Sequence, residues 1–400
     1  MMSCLGPLLR LAAGLLLGWT FTAGATEHIR PWHLSGFGTI GGVWLDDGAV
    51  FFNHPAKSRD RASRPDFDTD SRIGLQASLT LSDRADLTVQ VMASENYRGT
   101  YEPRITWAYA RVNVTPGMTL RGGKLRAPFF MHSDSLYVNY VHPWVRPPVE
   151  VYGLNPFSDL DGVDLLYQTR VGAFGMVLQP YYGKGRVRFP SGTARLDDSL
   201  GIRVGLEKGP LTIQFGHARG RLALRYGDPL FLLLRGQLGA AGRDGAVARL
   251  SGRGADARFD SIGFEWDDDE FLVIGEYARR SASRFISTAD GAHITAAYRL
   301  GSVTPFVTIA RQRIVDPVLH DDPGIPVLGP YLTSRNQSQR SATLGVRWDL
   351  HPKAALKAQW TRSRVDHRAW GAFFPDGDPT AGSPAGRTID MLSVSLDFIF

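Results

Sequence analysis

Residues able to do chemistry gather most densely between Arg121 and Glu150: a basic cluster of Arg121, Lys124 and Arg126, then His132, Asp134, Tyr137, Tyr140, His142, Arg146 and Glu150. Their spacing does not suit bond breaking. Nucleophilic catalysis needs a serine beside a histidine that an acid orients. His217, His293 and His320 are available as bases, but no Gly-x-Ser-x-Gly elbow occurs, so a hydrolase is the weaker reading and no enzyme is expected. Asp159-x-Asp161-Gly162-x-Asp164 and Asp267-Asp268-Asp269-Glu270 offer oxygen ligands, yet neither has the twelve-residue calcium loop with its closing Glu. No glycine-rich loop joins a strand to a helix, so neither metal nor nucleotide nor other cofactor is expected. Mixed acids and bases can still set an electric field. Opposed charges across a narrow aqueous passage sort ions by field and diameter.

Positioning such a field takes a frame, and the C-terminus shows its kind. Leu392, Val394, Leu396, Phe398 and Phe400 alternate with Ser393, Ser395 and Asp397. A period of two puts an apolar face on one side of a β-strand and a polar face on the other. Hydrocarbon outside and water inside is what a wall strand of a transmembrane β-barrel requires. At the other end, Arg10, the apolar Leu11 to Phe21 and Ala23-Gly24-Ala25 read as a secretory leader cleaved after Ala25, giving residues 1–25 as signal peptide and 26–400 as the barrel. Cys4 falls within that leader, which leaves the mature chain without cysteine. No later stretch reaches the roughly 20 apolar residues of a spanning helix.

Composition agrees with walls that alternate lipid-facing and lumen-facing positions: 44 glycines and 43% apolar residues. A net charge of +6, one unit of it from Arg10, suits an arginine-lined pore or contacts with lipopolysaccharide better than nucleic acid.

The separators between alternating runs come in two sizes. Ser82 to Ala85, Thr115 to Met118, Val171 to Phe174, Lys208 to Pro210, Asp267 to Glu270, Leu300 to Thr304 and Leu350 to Ala354 are short and turn-like. Between them lie long polar stretches, among them Ala127 to Leu160, Gly185 to Asp197, Tyr226 to Ala257 and Val315 to Gln339. Strict alternation of short and long is the asymmetry of an outer-membrane barrel, tight periplasmic turns against long extracellular loops. Seven turns joining eight hairpins give an all-β, transmembrane antiparallel β-barrel of 16 strands; 14 or 18 would need one hairpin misread. Strands are expected to begin at His33, Ser71, Ala85, Ile105, Thr119, Asp161, Gly175, Asp198, Leu211, Arg258, Phe271, Asp290, Pro305, Arg340, Ala355 and Arg387.

Parity assigns the faces. Ile73, Leu75, Ala77, Leu79 and Leu81 point to lipid and Arg72, Gln76, Ser78 and Thr80 to the lumen; Leu200, Ile202, Val204 and Leu206 oppose Arg203 and Glu207. The same rule sends Arg72, Arg111, Arg203, Arg299, Arg347 and Lys357 inward with Glu207, Glu265, Glu276, Asp349 and Asp397, nearly balanced in charge. Trp44, Trp107, Trp266, Tyr277, Tyr298, Trp348, Trp360 and Phe400 fall near strand ends, as interfacial girdles do.

With Ser35-Gly36-Phe37-Gly38, Asp70-Ser71-Arg72-Ile73-Gly74-Leu75, Ala108-Tyr109-Ala110, Leu120-Arg121-Gly122-Gly123-Lys124 and Asp161-Gly162-Val163-Asp164-Leu165, the chain from His33 to Phe400 resembles Gram-negative outer-membrane porins of 16 strands, including the phosphate-selective branch. The resemblance implies passive diffusion of small hydrophilic solutes, a homotrimer in the outer membrane, and a third loop, 127–160, folded inward to narrow the barrel. Pro143, Pro147 and Pro148 would stiffen that loop. The terminal Phe398 and Phe400 are similar to the signature that the barrel-assembly machinery reads in this family. Arg72, Arg111 and Arg121 are expected to face acidic loop residues such as Asp134, with Lys124, Arg126, Tyr137, Tyr140, Arg203 and Arg347 completing the constriction and giving a weak preference for anions. An adhesin or receptor barrel with binding loops is the alternative, and the odd Tyr226 to Ala257 stretch, a short helix, strand extension or protomer contact, is where it would show.

Overall fold

The computed structural model describes residues 31–52, 65–376 and 382–400; the leader expected at 1–25 lies outside them. Sixteen strands close into one antiparallel barrel, each joined to its neighbours in sequence. In chain order they are β1 (Trp32–Leu45), β3 (Arg72–Ser82), β4 (Ala85–Ser94), β5 (Arg104–Thr115), β6 (Met118–Arg126), β7 (Asp159–Val171), β8 (Phe174–Phe189) and β9 (Gly192–Lys208). The second half is β10 (Leu211–Tyr226), β11 (Ala255–Asp267), β12 (Phe271–Ala282), β13 (Thr288–Tyr298), β14 (Val303–Asp316), β15 (Gln339–His351), β16 (Ala354–Val365) and β18 (Thr388–Ile399). Two short strands outside the barrel, β2 (Val50–Phe52) and β17 (Phe373–Pro375), pair with each other. Closure is made by β1 against β18, in register from Trp44 with Leu392 to Phe37 with Ile399, and Gly36 and Phe400 exchange backbone hydrogen bonds of 2.8 and 3.0 Å.

The outer face carries the alternation that places strands in lipid. On β15, Ala342, Leu344, Val346, Trp348 and Leu350 point out while Ser341, Thr343 and Arg347 point in. Eight residue steps from Leu350 to Ala342, at about 3.4 Å each and a tilt near 40°, give a band roughly 21 Å high, close to a bilayer's apolar thickness for a barrel. Phe271 packs against Tyr298 at 4.7 Å, the rings tilted by 43°, among the exposed aromatics near the turn end. Trp44 and Trp360 flank Leu392 nearer the loop end. Trp107 departs from the expected girdle: it faces inward in step with Arg111, and its ring lies under the Arg126 guanidinium, 5.3 Å away.

Fifteen of the sixteen expected starts fall within three residues of the observed ones. The eighth, Asp198, differs, since β8 and β9 run on through the stretch read as a loop, Gly185 to Asp197. That stretch does alternate, but inverted. Val187, Ala194 and Leu196 face inward while Arg186, Arg188 and Arg195 face out. The register slips by a bulge between Gly183 and Gly185, opposite Asp198, whose φ of +51° is left-handed backbone. Above the membrane the outside is water, so charge turns outward and the apolar side finds a core within.

At the loop end, helices Pro229–Ala240, Asp244–Arg249 and Leu328–Arg335 share an apolar cluster of Phe231, Leu234, Leu238, Leu250, Leu328 and Tyr331. The stretch Tyr226 to Ala257 is thus mainly helical. Asp228 caps the first helix, its side chain accepting from the Leu230 backbone N–H, with Pro229 in the first turn.

Candidate functional site

After β6 the chain does not return along the rim. Residues 127–158 turn into the barrel, through a 3-10 turn at Asn139–Val141 and a short helix at Val149–Tyr152, and meet the inner wall around most of its circumference. A chain segment in this position must satisfy its own backbone groups, and wall side chains do so.

On one side the anchors are charged. Lys357 of β16 and Asp397 of β18 form a 2.9 Å ion pair with both side chains 0% exposed, and the Lys357 ammonium also donates to the Asn139 and Trp144 carbonyl oxygens. Asp397 accepts from Thr39 at 2.6 Å. Arg146 reaches from the segment to Asp70, which precedes β3, with two nitrogens, and donates to the Ser393 hydroxyl at 3.0 Å. Arg347 donates to the Tyr140 and His142 carbonyl oxygens and pairs with Asp349. Glu150 accepts from Gln339 at 2.8 Å and Ser341 at 2.6 Å. The Glu150 carbonyl lies where any Cβ on Gly291 would sit, 2.0 Å away, so only glycine permits that approach.

On the other side the anchors are apolar. Phe129, Phe130, Tyr152, Leu154 and Phe157 pack with Tyr181, Leu196, Leu222 and Phe259 of β8 to β11. Phe130 stacks on Tyr152 at 4.7 Å and meets Phe259 edge-on at 5.1 Å. Between the two sides His142 stacks on Trp144 at 5.5 Å, and His132 sits against His142 at 4.9 Å. Burial drives the His132 imidazole down to about 4 and, helped by His132 and Lys357, holds His142 well below its usual range. Both rings are neutral at pH 7.

The expected site residues are divided by this arrangement. Arg72, Arg104 and Arg126 surround Tyr137, their guanidinium carbons 5.8, 5.7 and 4.5 Å from its ring centre. Burial works to raise the Tyr137 phenol, but Arg104 and Arg126 outweigh it and hold it below its ordinary value. Asp134 does meet a wall arginine, but it is Arg203, at 3.0 Å. The arginines expected opposite it have other partners: Arg121 is held by Asp164 at 2.9 Å and Arg111 by Asp86 at 2.6 Å, both on adjacent strands. Tyr140 donates its hydroxyl to the Pro352 carbonyl at 2.8 Å. Lys124 turns away from the lumen. It pairs with Asp159 and Asp161 on the outer face, in step with the exposed Leu120 and Val163, so the acidic run Asp159 to Asp164 is occupied by cross-strand basic partners. Phe398 and Phe400 stack at 6.2 Å on the outside of the closing strand.

Sequence reasoning missed Asp70, Asn139, Gln359 and Arg280 as wall or loop anchors. Gln359 accepts from the Val145 N–H at 2.9 Å and Arg280 donates to the Leu154 carbonyl at 3.0 Å. Their inward parity was legible; that they would meet a loop was not. The three histidines weighed as bases are dispersed: His217 lies outside beside Asp260 at 2.6 Å, His293 packs on Trp144, and His320 is in the loop after β14.

No protein-family model matches the chain, and no curated protein matches it in sequence. Solved structures do. OmpT of Vibrio cholerae is 12% identical with a TM-score of 0.54, covering 94% of this chain and 100% of its own; another structure of that protein is described as its trimer form. An anion-selective porin from Comamonas acidovorans is 12% identical with a TM-score of 0.55 over 92% of this chain and 99% of that one. Salmonella typhi OmpF, solved with daunomycin, gives 12% identity and 0.54 over 92% and 97%. At these identities the likeness is one of fold: this is a 16-stranded barrel of the outer-membrane porin type.

Proposed function

We propose that the chain is a passive diffusion channel of the Gram-negative outer membrane, passing small hydrophilic solutes and ions with a weak preference for anions. The observation that carries this reading is the inward path of residues 127–158, tied at both sides of a barrel wide enough to hold water. A segment fixed at so many points narrows the lumen to a set aperture. The anion preference rests on the cavity of about 600 Å³ on the turn side, lined by Arg84, Arg111, Arg121 and Tyr109 with no carboxylate among its lining residues. Two of these arginines share their charge with Asp86 and Asp164, which keeps the preference weak. Reversal potential across a planar bilayer in a KCl gradient tests it. The expected sign favours chloride, while a potential favouring potassium, or no conductance at all, rejects the reading.

Lipopolysaccharide is the lipid partner this reading favours. Arg311, Arg340 and Arg364 stand directly opposite one another on β14, β15 and β16, all exposed at the loop-side edge of the apolar band. Like charges in cross-strand register repel, and phosphates of an outer leaflet would relieve them. Arg340→Ser should weaken binding to lipopolysaccharide-containing vesicles and leave binding to phosphatidylcholine vesicles unaltered; equal loss on both rejects the contact. Folding is taken to pass through the barrel-assembly machinery by way of Phe398 and Phe400, and the assembly to be a homotrimer. The mass of the unheated protein in mild detergent tests that state.

A further inference from the structure

Above residues 127–158, on the loop side, lies a cavity of about 730 Å³, within the usual size of a small-molecule site. Its floor is Leu154 and Phe157, its wall includes Leu222 and Phe259, and its roof includes Phe285 and Tyr331. This is unlike the wet, charged interior that a diffusion channel needs. Five arginines touch the lining: Arg219 and Arg258 stand at exposed positions of β10 and β11, Arg335 and Arg368 pair with Asp228 and Asp321, and Arg280 is left facing the cavity. Arg280 of β12 donates to the Leu154 carbonyl at 3.0 Å, its Nε is buried with no hydrogen-bond partner, and among the described residues no carboxylate pairs with it. The buried Ser199 hydroxyl and Tyr226 hydroxyl on the same lining also have no partner. Asp321 is the one carboxylate of the lining, and Arg368 holds it at 3.2 Å.

A half-buried guanidinium whose Nε is shut off from water, with no counter-charge beside it, carries an uncompensated desolvation cost, and an anion brought to it recovers part of that cost. We propose that this cavity is a binding site for a monocarboxylate with an apolar body, aromatic or medium-chain aliphatic, its carboxylate on Arg280 and its body against Leu154, Leu222, Phe259 and Phe285. The charge count selects the class. A single uncompensated guanidinium neutralises one negative charge, and a phosphate or dicarboxylate would bring a second into a mainly apolar lining whose other inward cations are already paired. An uncharged aromatic would fill the space and leave Arg280 as it is. The site deepens the channel reading by naming a preferred solute, but binding is measurable without conduction.

The test is calorimetric titration of the full-length protein in nanodiscs with 4-phenylbutyrate, 4-phenylbutanol, butyrate and phosphate, with empty nanodiscs subtracted. Saturable 4-phenylbutyrate binding is expected, at least about tenfold tighter than each of the other three, since each tenfold step is 1.4 kcal/mol and a desolvated charge contact exceeds that. Arg280→Gln should remove the preference over the alcohol. Leu222→Trp, which fills the cavity and keeps the arginine, should abolish binding altogether, and serves if Arg280→Gln does not fold. Equal affinity for acid and alcohol, tighter binding of phosphate, or unaltered affinity in Leu222→Trp overturns the proposal. Saturable binding by a protein that conducts nothing rejects the channel and keeps the site; conduction without binding does the reverse.

Discussion

The two sides of the inner segment are held by different physics. Toward β15, β16, β18 and β1 it is fixed by directional bonds: Lys357 and Asp397, Arg146 and Asp70, Arg347 with two carbonyl oxygens. Toward β8 to β11 it is held by Phe129, Phe130, Tyr152 and Leu154 in an apolar core. Charge anchors set position and orientation, because a buried pair tolerates little displacement before its desolvation is uncompensated. Apolar packing sets area and leaves room to repack. The bonded side therefore defines the aperture's rigid edge. The apolar side is where the molecule has space to accept a solute.

The largest effect expected from this contrast is at the charged side. Lys357→Ala leaves Asp397 buried and unpaired, and should cost about 3–5 kcal/mol, read as a lowered urea midpoint for the protein in lipid vesicles. A loss under 1 kcal/mol would mean water reaches the pair and the rigid edge is not rigid. Next comes the apolar side: Phe129→Ala should cost about 3–4 kcal/mol by cavity formation, and because the charged anchors persist, single-channel recordings should show larger, noisier currents and not collapse of the barrel. Unaltered noise would show that the two sides are not independent.

A smaller effect follows from the imidazoles between them. His132 when released takes a proton near pH 6.5, but when packed holds out to about 4. The released state binds more protons in that window, so the packed state is fully stable above pH 6.5 and loses stability as pH falls toward 4. The loss is about 3 kcal/mol at most, and burial of the ring is its cause. Current noise should rise between pH 6.5 and 4, and His132→Gln should flatten the profile. A profile unaltered by that substitution assigns the pH response elsewhere.

The wall was legible nearly residue by residue. Alternation at Leu392 to Phe400 places those side chains out and Ser393, Ser395 and Asp397 in, and the strand closes against β1 as the turn count required. It failed at β8 and β9, where the solvent outside changes from lipid to water and the same period carries the opposite assignment. Trp107 and Lys124 keep the count of two, Trp107 in step with the inward Arg111 and Lys124 with the exposed Leu120; the girdle and pore roles expected of them came from position along the strand, not from parity.

Along β-strands the sequence by itself determined strand number, order and lipid face, because a period of two is a local property and the bilayer imposes one rule on every strand. The path of residues 127–158 was decided only in three dimensions. Its contacts join positions such as Asn139 and Lys357, 218 residues apart, and no period links them. Which arginine meets Asp134, which lysine is entombed with Asp397 and which guanidinium is left without a counter-charge all depend on where a closed ring of sixteen strands brings distant side chains together.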